Sequence, residues 1–144
     1  MESGAILIYL AEKSGQLLPL DNKARFKVLE WLMWQMGGVG PMLGQAHHFL
    51  YFNYGVSDYA EKRFAKEVER LYGVLNRQLA DNEFIAGNYS IADIATWPWI
   101  SRYEWQDIDL SQYEHVYRWY HDIARRDAVV RGYSVPQKQE IPLP

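Results

Sequence analysis

Ser90-Ile91-Ala92-Asp93-Ile94 is the stretch from which the fold of this chain can be read. A serine followed three residues later by an acid, at the edge of an apolar run, marks a helix start. The Ser90 hydroxyl is expected to accept from the amide of Asp93, and the Asp93 carboxylate to reach back to the amide of Ser90. Tyr89 and Ile94 stand at the staple positions on either side. The helix that follows holds Ile94, Trp97, Ile100 and Tyr103. Pro98 lies inside it, removes one backbone donor and is expected to bend it.

Working outward, the same helical period recurs on both sides. Upstream, Phe64, Val68, Leu71, Tyr72, Leu75 and Leu79 form one apolar face, with charged residues on the other. Downstream, Tyr113, Val116, Tyr117, Tyr120, Ile123 and Ala124 mark another helix, closed by Arg125 and Arg126. A short last helix is expected over 128–135, followed by an extended or disordered tail over 136–144, which holds three of the six prolines. Further upstream, Ala24, Val28, Leu32 and Met36 define a stripe that Leu29 and Met33 widen, and Asp21 is placed to cap it. Gly37-Gly38-Val39-Gly40-Pro41-Met42-Leu43-Gly44-Gln45 then predicts a kink or an interruption, with helix resuming over Ala46 to Tyr51.

At the start, Glu2 to Ser14 reads as a helix with Ser3 as N-cap and Gly15 as the left-handed stop. Its run Ala5 to Ala11 is apolar all round, which predicts burial on more than one side. No segment requires a strand. The expected fold class is all-α: a bundle of about six helices joined by short loops.

Bulk composition narrows the function. The 144 residues fit one domain, with 49% hydrophobic and 23% charged side chains, near the globular average. Fifteen basic against 18 acidic residues give a net charge of −3, which argues against a nucleic-acid partner. The sequence has no cysteine, hence no disulfide framework, thiolate metal site or cysteine nucleophile, in keeping with a cytoplasmic location. The apolar run near Met1 is too short to span a bilayer and Glu2 replaces a basic leader, so neither membrane segment nor targeting signal is expected. Six Trp and eleven Tyr exceed what packing alone calls for, and point to a cleft as well as a core.

Three stretches carry a resemblance. Glu2-Ser3-Gly4-Ala5-Ile6 with Tyr9-Leu10-Ala11-Glu12 resembles the last helix of the thioredoxin-fold half of glutathione transferases. Ser90-Ile91-Ala92-Asp93-Ile94 resembles the box that opens the central helix of their helical half. Trp119-Tyr120 with Ile123-Ala124-Arg125-Arg126 is similar to the helix after it, with Asp127 where a proline is usual. Trp34-Gln35-Met36-Gly37-Gly38-Val39-Gly40-Pro41-Met42-Leu43-Gly44-Gln45, together with Tyr59 to Phe64 and Glu69 to Tyr72, resembles the bacterial Nu-class enzymes and their fungal prion-related relatives.

The resemblance implies a helical domain over 16–135, a last helix of a thioredoxin-like domain over 1–15, and the rest of that domain ahead of Glu2. The thiol-activating residue is expected in that preceding half, so no catalytic residue is assigned within this chain. It further implies glutathione as co-substrate, reduction of disulfides and peroxides with weaker conjugation to electrophiles, and a homodimer. A free-standing helical module without catalysis is the alternative, since the Ala5–Ala11 face would then be open to a partner.

Particular residues follow from both lines of reading. Glu2 and Ser3 serve either as helix capping or, by the resemblance, to hold the γ-glutamyl end of glutathione, where free amides favour a carboxylate. Arg63 is either a solvated surface charge or the guanidinium that faces a second glutathione. Trp34, His47, Phe49 and Tyr103 are candidates for the electrophile wall, or ordinary core aromatics. His47 and His48 point about 100° apart on a helix and converge on no single ion, so no metal is expected. The glycine stretch lacks the Gly-Lys-Ser/Thr ending of a phosphate loop and reads as close helix packing. Ser90 and Asp93 read as a structural cap.

Overall fold

A computed structural model describes residues 2–144. Seven α-helices follow in order: α1 Ser3–Ser14, α2 Asn22–Trp34, α3 Gly40–Ala46, α4 Asp58–Ala80, α5 Ile91–Ile100, α6 Glu114–Ala124 and α7 Asp127–Tyr133. Among the described residues there is no β-strand, only an isolated bridge between Phe84 and Gly87, and no helix long and apolar enough to cross a membrane.

The capping box opens α5 as expected. Ser90 N–H donates to Asp93 Oδ2 at 3.0 Å, and the Ser90 hydroxyl accepts from the amide of Ala92 at 3.3 Å. Because α5 is apolar on nearly every side, it is the central element: Ile91, Ala92, Asp93, Thr96, Trp97 and Ile100 are all buried. Helices α1, α2, α3 and α6 pack around it. The face of α4 is also as predicted, with Val68, Leu71, Tyr72, Leu75 and Leu79 buried and Phe64 half-buried. Helix α6 buries Val116, Trp119, Tyr120, Ile123 and Ala124.

At the glycine-proline stretch the α-helical hydrogen bonding is interrupted, as expected, but the backbone stays helical throughout. Gln35–Val39 and His47–Phe52 adopt π-helical turns, so helix runs without a break from Asn22 to Phe52. In the first of these turns the Gly40 amide bonds to the carbonyl of Gln35, five residues back, and the widened coil passes Pro41, which has no N–H to give. Gly40 is where close approach matters. A Cβ there would lie 3.3 Å from the Trp99 ring and 3.0 Å from Gln35 Nε2, whereas one at Gly37 would meet nothing.

Two further expectations are corrected at the ends of the chain. Ser3 is the first residue of α1, not its cap; Glu2 occupies the cap position, and no side chain hydrogen-bonds there. Helix α1 also buries only Gly4 and Ala11 while Ile6, Tyr9 and Leu10 stand exposed, so its apolar run is covered on one side only. Gly15 does end it in the left-handed conformation (φ 67°). The tail is extended but folded back: Tyr120 O–H donates to the Pro142 carbonyl at 2.6 Å, and Ile141 packs against the core.

Candidate functional site

Two regions hold the residues singled out above. The first is the N-terminus of α1. No side chain caps it, so its first-turn amides keep their positive end of the dipole free of a local acceptor. Glu2 and Ser3 are exposed. Ser3 Oγ lies 4.0 Å from Met36 Sδ, and Gly4 leaves just enough room for that thioether, since a Cβ would sit 3.1 Å from it. The contact ties α1 to the first π turn. Trp34, immediately before that turn, is half-buried and meets Trp31 edge-on at 5.0 Å.

The second region is built on the other π turn. Phe49 stacks on Phe64 of α4 (5.5 Å, 10°), which sets exposed Arg63 beside the same end. His47 lies over Trp99 (6.0 Å, 21°) and edge-on to Trp105 (5.5 Å, 83°). Tyr51 stacks on Trp105 at 5.0 Å with Phe52 against its edge, and the Arg102 guanidinium covers Trp105 at 4.8 Å. Tyr103 faces the other way. It is 6% exposed and meets Tyr120 edge-on in the core, so it backs the region and forms none of its wall.

Behind His47 runs a buried polar chain. Tyr72 O–H donates to Gln106 Oε1 at 2.7 Å; Gln106 Nε2 donates to the Trp99 carbonyl at 2.8 Å and lies 2.9 Å from His47 Nε2. Burial first, and the Arg102 cation second, hold His47 below the ordinary histidine value. Burial raises Tyr72 well above the ordinary phenol value, so it serves as a donor. Gln106, Trp99 and Arg102 were not singled out from the sequence, and Tyr72 was read only as part of an apolar face. Gln106 sits in an irregular turn of 3₁₀ helix, Tyr103–Gln106, where no periodicity marks it. The only signal was the crowding of tryptophans after Pro98.

Asp93 is more than a cap. It is fully buried, and its Oδ1 also accepts from Ile85 N–H (3.0 Å) and Trp119 Nε1–H (2.9 Å). Burial raises its pKa against the opposing pull of these bonds. It joins the loop before α5, α5 itself and α6, and lies in the core, apart from the two regions.

The helical architecture and the α5 box define this chain's class: it belongs to the glutathione S-transferase family, whose C-terminal domain matches residues 39–127. It is 49% identical over 128 residues to the disulfide-bond oxidoreductase YfcG of Escherichia coli, covering 88% of this chain and 60% of that protein. A glutathione transferase from Burkholderia graminis, solved with two glutathione molecules bound per subunit, superposes with a TM-score of 0.88 at 41% identity, over 96% of this chain and 61% of that one. One from Pseudomonas putida, solved with one glutathione disulfide bound per subunit, superposes at 0.87 with 44% identity, over 94% of this chain and 62% of that one. This chain therefore spans about three-fifths of the length of these relatives.

Proposed function

We propose that these residues form the helical side of a glutathione-dependent disulfide oxidoreductase. The carrying observation is the close likeness, at 41% and 44% identity, to structures holding two glutathione molecules or one glutathione disulfide.

In this reading the uncapped amides of α1 and the Glu2 carboxylate take the carboxylate and ammonium of the first γ-glutamyl group. Arg63 pairs with a carboxylate of the second unit. Trp34, His47 and Phe49 form the wall. Residues 1–15 belong structurally to a thioredoxin-like unit and 16–135 to the helical domain. The chemistry is thiol–disulfide exchange: a glutathione thiolate attacks one sulfur of a disulfide, a new S–S bond forms, and the other sulfur leaves as thiolate. The group that activates the thiol is supplied from outside these 144 residues.

Calorimetric titration of glutathione disulfide into the chain tests this. Binding is expected, weakened several-fold by Arg63→Ala. Absence of heat, or an affinity indifferent to Arg63, would overturn the assignment.

A further inference from the structure

We infer that His47 is a hydrogen-bond donor locked in one tautomer, presenting Nδ1–H to a carbonyl or carboxylate oxygen of the ligand in the cleft. This rests on the glutathione reading above for the identity of the ligand, but the lock itself follows from the geometry of the protein.

The deduction starts from a carbonyl. Trp99 C=O can only accept, so the Gln106 atom 2.8 Å away is the amide nitrogen and not the oxygen. That fixes the orientation of the amide and leaves Oε1 to accept from Tyr72 O–H. The amide nitrogen carries two hydrogens. One goes to Trp99, and the second is available to His47 Nε2 at 2.9 Å. A ring nitrogen that accepts a hydrogen carries none, so the single hydrogen of the neutral imidazole resides on Nδ1.

The lock is deep and the key is shallow. Tyr72 and Gln106 are each 1% exposed, so solvent cannot turn the amide over, while His47 at 9% reaches the surface. Trp99 and Trp105 fix the plane of the ring from its face and its edge. No described residue hydrogen-bonds to Nδ1, and Nδ1 is not among the buried side-chain atoms left without a partner. His48, the neighbouring residue, differs: its Nδ1 meets Asn53 at 3.3 Å. Beside the stacked rings of Trp105, Tyr51 and Phe52, a fixed N–H supplies direction where stacking supplies only contact.

The test begins with the imidazole ¹⁵N spectrum of the unmodified chain near neutral pH, where His47 is expected to be protonated on Nδ1 with a pyridine-like Nε2. Gln106→Glu, which offers Nε2 an acceptor, should move a hydrogen onto Nε2. Calorimetry with glutathione disulfide should show His47→Ala weakened roughly five- to tenfold, the loss expected for one hydrogen bond. His47→Asn, whose amide N–H stands near the place of Nδ1–H, should stay within about twofold. An Nε2-protonated ring in the unmodified chain overturns the inference. Unmodified and His47→Ala chains that bind equally well overturn the donor role and leave the glutathione reading intact. An unmodified chain that binds nothing removes both.

Discussion

At the residue scale, the most consequential side chain is Asp93. Each of its oxygens accepts two hydrogen bonds: Oδ1 from Ile85 and Trp119, Oδ2 from the amide and hydroxyl of Ser90. An asparagine is the same size but turns a donor toward two of these donors. Asp93→Asn is therefore expected to lower stability by about 2 kcal/mol or more, and Asp93→Ala by about 3–5 kcal/mol, in denaturant titrations. Retention of stability within 0.5 kcal/mol, roughly the spread of an ordinary surface substitution, would refute the hub. His47 gives a pH dependence of determinate sign. Its folded pKa lies below the ordinary 6.5, so as pH falls through that value the unfolded chain takes up the proton first. Stability should decline on acidification below about 6.5, by at most about 1.4 kcal/mol per pH unit from this group, and His47→Asn should flatten that slope. Asp93 acts oppositely at lower pH, because protonating a buried carboxyl raised above 3.8 relieves the cost of its charge. The cap was legible in the sequence because serine and acid are three residues apart. The other partners of Asp93 were not, since Ile85 and Trp119 reach it only through the tertiary fold.

At the scale of the element, the long helix from Asn22 to Phe52 shows what composition can and cannot tell. Four glycines and a proline signal weak helix, and isolated propensity would break it there. Packing of Val39, Leu43 and Ala46 into the core keeps it whole, and π turns take up the misfit. The glycines are thus not equivalent. Gly40→Ala should destabilise, because the Trp99 ring is too rigid to give way at 3.3 Å. Gly37→Ala, exposed and free of neighbours, should stabilise by about 0.5–1 kcal/mol. Thermal melts that move in the same direction for both would contradict this. Helix starts divide in the same way. Asp21 caps α2 and Ser57 caps α4 locally, but α6 begins at Tyr113 with no cap of its own; Asn76 of α4 accepts from the amides of His115 and Val116 instead. No local motif could have disclosed a cap supplied from another helix.

Across the whole molecule, the all-helical class and the burial of α4, α5 and α6 were legible because α4 and α6 each have a strong apolar period and α5 is apolar nearly all round. Of the candidate site, Phe49 packs on Phe64, next to Arg63 in α4, His47 packs on Trp99 and Trp105, and Tyr103 turns inward. A period of three to four places Tyr103 on the face of α5, but the helix ends at Ile100, so the extrapolation failed there. The exposed Ile6, Tyr9 and Leu10 of α1, with Phe26 and Met33 of α2, give the first two helices an apolar surface left without cover. We expect it to pair two copies of this chain. Light scattering should give about twice 16.9 kDa, and Ile6→Glu with Leu10→Glu should return the single-chain mass; a single-chain mass for the unmodified protein would count against pairing.

Arg118 donates to the carbonyls of Leu79, Asn82 and Glu83, and Gln78 donates to that of Ile85. With Ile85 N–H held by Asp93, the connection between α4 and α5 is fastened from three helices at once. What looks like slack rope is a knot: α4, α5 and α6 cannot separate without first undoing it, so these three should come apart as one cooperative unit.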